Sequence, residues 1–271
     1  MLTLDFAIVT HRPEGLERVA RMLPPRAEGV RYIVSWQLHE GAPVPESLQR
    51  DDVEVHRHDI RGISSNRNNA IDHCRADIVM FADDDLIMHP DAFNDVRLAF
   101  EHHPDADVAT FRSVKHGDTL YPACPVPLHQ PLPHGYSVTS FEIAFRRATA
   151  GTLRCCTELG LGSPRLHGGE DEMFLLSAIK RGLRCMYFPI TVCEHPHPST
   201  GTKDGLTKGN LEAAGCVIAL TYPATCPLRI PLKAVRLARK GQAPFFSALL
   251  HLTRGALAAR GVRRRNRSTL W

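Results

Sequence analysis

No stretch of this chain is apolar for long enough to cross a bilayer. Leu211 to Tyr222 is too short, and Ala243 to Ala259 is interrupted by His251 and Arg254. Cysteine occurs eight times but never as C-x-x-C. A secretory leader is missing too, so reduced thiols in the cytoplasm are the expectation, with the adjacent Cys155 and Cys156 as packing residues. There is no P-loop. The first apolar run ends Thr10-His11-Arg12-Pro13. It lacks the glycine-rich signature that a nucleotidyltransferase would carry there, and the paired aspartates of a phosphatase with an aspartyl nucleophile. The net charge is small, +4, with a pI of about 8.7. Much of the excess sits in Arg260-Gly261-Val262-Arg263-Arg264-Arg265-Asn266-Arg267. That run has no interleaved aromatics and no known binding motif, so no nucleic-acid partner is expected.

What is present is enough apolar residue for one large domain, or one domain with an appendage: 271 residues, 43% apolar and 23% charged. Leu4 to Val9 reads as a buried strand. Leu16, Val19, Ala20 and Leu23 then fall at helical spacing before Pro24-Pro25. Val30 to Trp36 and Val53 to His56 read as further strands. Pro90 to His102 predicts a helix, Asp107 to Phe111 a strand, and Leu120 to Gly135 an irregular loop. Phe141 to Phe145 alternates like a half-exposed strand. Strands alternating with helices predict an α/β fold built on a mixed, mainly parallel sheet flanked by helices. From residue 205 the character changes to helices at Asn210–Thr221, within Pro223–Arg239, and at Phe245–Ala259. The expected division is a domain over 1–204 and a basic helical extension over 205–271. Basic faces beside Phe and Leu suit either packing on the main domain or the surface of an anionic membrane. Packing is expected for the first helices and membrane contact for the Arg-rich tail.

The most informative stretch is Asp77-Ile78-Val79-Met80-Phe81-Ala82-Asp83-Asp84-Asp85. A short apolar run predicts a fully buried strand, and it ends in three consecutive carboxylates. At the carboxyl end of a strand in an open α/β sheet, where ligands bind, such acids suit a hard divalent cation. A polar turn with a solvated acidic cluster is the plainer alternative. Just before it, Ser64 or Ser65 is read as the cap of a helix running to Cys74, which places Arg67 in the first turn. A cation there is unfavourable unless it faces a bound anion.

A second acidic group follows two glycines: Gly168-Gly169-Glu170-Asp171-Glu172. The acids fall where a helix begins, and simple N-terminal capping would account for them as well. That helix stops at Gly182, and Cys185 to Val192 predicts a strand ending in Glu194-His195-Pro196-His197-Pro198. His195 or His197 is a candidate metal ligand.

Taken in order, these pieces resemble the family 2 glycosyltransferases with the GT-A fold. The matching segments are Thr10-His11-Arg12-Pro13, Ser64 to Ala70, the D-x-D at Phe81 to Asp85, and Gly169-Glu170-Asp171. Their order and spacing agree over about residues 3 to 200. The resemblance implies inverting, metal-dependent transfer of a sugar from a nucleotide-diphosphate sugar, with UDP the expected nucleotide, to a saccharide or lipid-linked hydroxyl. It places Asp85, with Asp83 and His195, on Mn²⁺ or Mg²⁺. It puts Thr10, His11, Arg12, Arg67, Asn68, Asp83 and Asp84 around the nucleotide-sugar. Asp171 becomes the general base and Glu170 the residue that places the acceptor. It also suggests cell-surface polysaccharide synthesis at the cytoplasmic face of the plasma membrane. One departure stands out. The second strand ends Ser35-Trp36-Gln37-Leu38-His39-Glu40, without the expected acid directly after it, so the residue that reads the nucleobase is open. Trp36 either stacks on a base or fills the core. A sugar-nucleotide nucleotidyltransferase and a non-catalytic binding scaffold are the rival readings. The intact acids at both groups argue against the scaffold.

Overall fold

A computed structural model of the protein describes residues 1–114, 122–133, 136–195 and 206–270. Along the chain come β1 (Leu4–His11), α1 (Arg12–Met22), β2 (Val30–Gln37), β3 (Val53–His58), α2 (Ile63–His73) and β4 (Ile78–Ala82). Next are β5 (Ile87–Met88), α3 (Ala92–His102), β6 (Val108–Val114), β7 (Val126–Leu128), β8 (Ile143–Arg146), α4 (Arg147–Ala150), α5 (Glu170–Lys180) and β9 (Cys185–Glu194). The helices α6 (Lys208–Thr221), α7 (Cys226–Arg239) and α8 (Phe245–Arg265) follow. The strands form one sheet in the order β3-β2-β1-β4-β8-β6-β9-β5, with β7 paired to β9. β3, β2, β1 and β4 are mutually parallel, and β8 is inserted antiparallel between β4 and β6. The expected mixed α/β sheet with flanking helices is the observed one.

By internal contacts the chain divides into two units. The first holds Met1–Arg61, Ser65–Arg154 and Phe174–Pro196. Its core is built from the apolar strands: Leu4, Phe6 and Ile8 of β1, Val30, Tyr32 and Val34 of β2, and Ile78 and Met80 of β4 are fully or almost fully buried. Strands at the centre of a sheet are covered on both faces, which is why they read as continuous apolar runs. Trp36 is wholly buried and donates its indole N–H to the Arg12 carbonyl at 2.8 Å, so it fills the core. Asp5 interrupts the apolar run of β1 at full burial. Arg31 grips it with two hydrogen bonds of 2.9 and 2.8 Å, and the backbone N–H groups of Arg75 and Ala76 donate to it.

The second unit holds Gly62–Ser64, Cys155–Met173 and His197–Trp271. Its helices pack around Leu211, Ile230, Ala234, Leu237 and Leu252. α6 and α8 meet backbone to backbone at two glycines. A Cβ on Gly215 would stand 1.9 Å from the Leu252 carbonyl oxygen, and one on Gly255 would stand 1.8 Å from that of Glu212. Beside this contact Glu212 is buried between Arg165 and His251, with the imidazole Nδ1 at 3.0 Å. Burial alone would raise the Glu212 carboxyl, but those two partners outweigh it and hold it below its ordinary value.

Three expectations are corrected. Helix α2 starts at Ile63, so Ser64 and Ser65 lie inside it and cap nothing. Ser64 donates to the Leu159 carbonyl at 2.8 Å, and the Ser65 hydroxyl lies 3.0 Å from Nε2 of His58. Phe141 to Phe145 is buried, not half-exposed: a 3-10 turn at Ser140–Glu142 leads into β8, and Glu142 accepts from the Ser113 backbone and hydroxyl at 3.1 and 2.6 Å. The Arg-rich tail is largely the last turns of α8. Arg265 pairs with Glu158 at 2.6 Å and Asn266 donates to the same carboxylate at 2.8 Å, while Arg260, Arg263, Arg264 and Arg267 are exposed. Within Leu120–Gly135, Val126–Leu128 is a strand, and part of that loop, like residue 205 at the expected boundary, lies outside the described residues.

Gly255→Ala is expected to lower stability by at least about 2 kcal/mol, because overpacking a tight contact forces the backbones apart. Urea denaturation checks this, and an unchanged midpoint would show that the helices have room to separate.

Candidate active site

β4 pairs with β1 only as far as Ala82, opposite Ile8, whereas β1 continues beside β2 to His11. The three aspartates therefore leave the sheet at its switch point, next to Thr10, where open α/β sheets form their ligand crevice. Each carboxylate has its own partner. Arg67 lies at 3.3 Å from Asp83 and donates to the Ser140 hydroxyl at 2.6 Å. It is 2% exposed and sits one turn inside α2, not in the first turn as expected. Asp84 accepts from the Thr10 hydroxyl and from Arg18 at 2.8 and 3.2 Å. Asp85 faces His195, whose Nε2 lies 3.3 Å away. The His195 ring stacks on Phe141 at 5.4 Å and 9°.

Crowding raises the Asp85 carboxyl above its ordinary value; His195 opposes this, and the neighbouring Asp83 and Asp84 add to it. Two of the three expected metal ligands, Asp85 and His195, thus lie together, while Asp83 turns to Arg67. Among the described residues no group of three or more His, Cys, Asp or Glu side chains is gathered as a preformed metal cage. The gathered donors, the Asp85 carboxylate and the His195 imidazole, suit Mn²⁺ better than Mg²⁺, which prefers oxygen ligands throughout. His197 lies outside the described residues.

The neighbouring loop ends are held by buried polar groups. Asn66 donates to the Thr10 carbonyl at 2.9 Å and accepts from the Ser35 hydroxyl at 2.6 Å. Arg12 sits in the left-handed region at φ 63°, and it and His11 are exposed at the mouth. Asn68 is half-buried one residue beyond Arg67. Gly15 lies against the Thr10–Asp84 contact: a Cβ there would come 2.2 Å from the Thr10 hydroxyl oxygen and 3.0 Å from Asp84. Arg18 and Ser140 were not singled out in the sequence. No local pattern marks them, since each acts on a residue far away in the chain.

In the second unit, Glu170, Asp171 and Glu172 form the first turn of α5, where the helix dipole favours anions. Glu170 is buried against Gly160, where a Cβ would come within 3.0 Å of its carboxyl carbon. Asp171 is half-buried. Gly169, at φ 79°, packs against α6 so closely that a Cβ would meet Val217 at 2.7 Å. Glu172 is open to water but walled by protein. That crowding raises its carboxyl, and Lys233 pulls it back.

Residues 41–155 match the family described as Glycosyl transferase family 2. No curated protein matches the chain. Among solved structures, residues 1–349 of S. aureus TarS in complex with UDP-GlcNAc align with a TM-score of 0.55 at 11% identity, covering 100% of this chain and 93% of that one. The same TarS segment with UDP gives 0.57 at 12%, covering 96% and 92%. The mannosyltransferase PcManGT from Pyrobaculum calidifontis, in complex with GDP-Man and Mn²⁺, gives 0.51 at 15%, covering 98% and 75%. At such identities the likeness to these structures is one of fold.

Between the ordinary and the raised value the native state holds a proton on Asp85 that the unfolded chain releases. Stability from this group therefore falls as pH rises from 3.8 towards the raised native value. Metal-free Asp85→Asn is expected to melt at a higher temperature than the parent at pH 7, with the gap closing below pH 4. Parallel melting at all pH values would refute the assigned crowding.

Proposed function

We propose that this chain, whose residues 41–155 match the family 2 glycosyltransferases and whose fold is that of GT-A enzymes, is a member of that family and moves a sugar, with inversion, from a UDP-sugar to an acceptor hydroxyl. The observation that carries the reading is the set of acids at the switch point, Asp83 to Asp85, on the carboxyl end of a fully buried strand. Complexes of TarS with UDP-GlcNAc and of PcManGT with GDP-Man support a nucleotide-sugar donor on this fold.

In this reading Asp85, with His195 and Asp83, holds Mn²⁺ or Mg²⁺. When bound, the cation offsets the charge that develops on the departing diphosphate. Arg67 lies on the same side and favours phosphate oxygens. Asp84 acts through others: it clips Thr10 and Arg18 together and so fixes the loop of Thr10, His11 and Arg12 against the nucleotide, with Asn68 beside Arg67. Asp171 takes the acceptor's hydroxyl proton as the oxygen forms its bond to the sugar's anomeric carbon. The bond from that carbon to the phosphate oxygen breaks, and its electron pair leaves with the nucleoside diphosphate. One base opposite the leaving group gives inversion, and base catalysis of this kind contributes about 100- to 10,000-fold. Glu170, buried in the same first turn of α5, places the acceptor.

The acceptor class we favour is a saccharide or lipid-linked hydroxyl in cell-surface polysaccharide synthesis. Residues 213–271 carry eleven Lys and Arg and no Asp or Glu. Among them Leu228, Phe246 and Leu257 are 69%, 82% and 77% exposed. Among the described residues no helix is long and apolar enough to cross a membrane. A peripheral seat on an anionic membrane at its cytoplasmic face fits this surface, and all eight cysteines are free thiols.

Two measurements test these readings. UDP is expected to raise the melting temperature only with Mn²⁺ or Mg²⁺ present. Asp85→Asn should abolish that shift, and Asp171→Asn should keep it while lowering turnover at least about 100-fold. Undiminished turnover in Asp171→Asn would remove the base assignment. Separately, vesicles with 30% phosphatidylglycerol should sediment the protein at about 0.1 M salt, and pure phosphatidylcholine vesicles should not; equal sedimentation would dismiss the charge argument.

A further inference from the structure

The second unit contains a cavity of about 470 Å³ that the reading so far does not use. Its floor is α6, with Ala213, Val217 and Ile218. One wall is α7, whose Arg229, Lys233 and Arg236 line it at helical spacing and so share one face. Its far end is Gly168-Gly169, the two residues immediately before Glu170 and Asp171. Asn210 ties that end to α6 by donating to the His167 carbonyl at 2.5 Å.

The charge in this cavity is unbalanced. Lys233 and Arg236 make no side-chain hydrogen bond or ion pair among the described residues. Arg229 is preset rather than neutralised: its guanidinium lies 3.8 Å from the Tyr222 ring centre, and its Nε donates to the Thr225 hydroxyl at 2.8 Å. The acid on the lining is Glu172, at the Gly168-Gly169 end. Three cations along two turns fit an anion with several oxygens, such as a phosphate, better than a single carboxylate. An apolar floor suits a carbon skeleton. The volume lies within the range of small-molecule sites.

We propose that this cavity seats the acceptor, and that the acceptor is a hydroxyl compound bearing a phosphate or phosphodiester. The phosphate lies along Arg229, Lys233 and Arg236, and a hydroxyl lies at the Gly168-Gly169 end, where the chain enters the helical turn that carries Asp171. The inference rests on the assignment of Asp171 as base, and it names the class of molecule that base serves. The phosphate source is either a soluble ester or a lipid headgroup.

The test titrates full-length protein into sn-glycerol 3-phosphate, followed by ³¹P line broadening, and into glycerol, followed by saturation transfer. The parent should bind the phosphate ester and not glycerol. Lys233→Glu/Arg236→Glu should bind it at least tenfold more weakly, while its Mn²⁺-dependent stabilisation by UDP stays unchanged. If the double variant loses that stabilisation, Lys233→Gln takes its place, with a threefold or greater weakening expected. Equal binding by parent and variant, or equal binding of glycerol and its phosphate, overturns the proposal. Failure of the parent to bind UDP would instead count against the donor reading. Displacement of the ester by phosphatidylglycerol vesicles assigns the site to a headgroup, and its absence assigns it to a soluble phosphate; either result retains the phosphate seat.

Discussion

Three carboxylates leave the end of β4 in consecutive positions. Two like charges about 5 Å apart in a partly buried setting repel by on the order of 3 kcal/mol. A strand end with such a load is tolerable only if each charge is answered. Asp83 is met by Arg67, Asp84 by Arg18 and the Thr10 hydroxyl, and Asp85 by His195. Those partners arrive from α2, from β1 with α1, and from the end of β9. The acids thereby fix the ends of several elements at the switch point of the sheet. The same demand explains why a cation suits Asp85, whose own partner is an imidazole and not a permanent charge.

The remainder of the first unit supports that point. Asn66 bridges the carboxyl ends of β1 and β2 through Thr10 and Ser35. Trp36 braces the strained backbone of Arg12 from below. Far from the mouth, Asp5 and Arg31 tie β1 to β2 and to the loop before β4. The sheet is thus pinned by polar contacts at both ends, with apolar packing between.

Much of this was readable in the residues. The strands of the parallel half stood out as apolar runs, and the acids at Asp83 to Asp85 and Glu170-Asp171 stood out by charge and by what precedes them. What could not be read was partnership across the chain. Ser64 resembles a cap until its hydroxyl finds the Leu159 carbonyl, 95 residues on. The alternation in Phe141 to Phe145 suggests an exposed face, but Ser113 buries Glu142 by bonding to it. Arg18 carries no local mark of its role, because Asp84 lies 66 residues later. The charged cavity was illegible for the same reason. Its walls are drawn from residues 167–172, 210–222 and 229–236, and neither of the last two segments resembles a binding motif by itself.

The glycine contacts between α6 and α8 have a mechanical corollary. Helices that touch through side chains can slide or breathe, because rotamers give way. Where Gly215 meets Leu252 and Gly255 meets Glu212, main chain bears directly on main chain, and nothing compliant lies between. The contact leaves no rotamer to absorb a shift, so a displacement of one helix bears directly on the other.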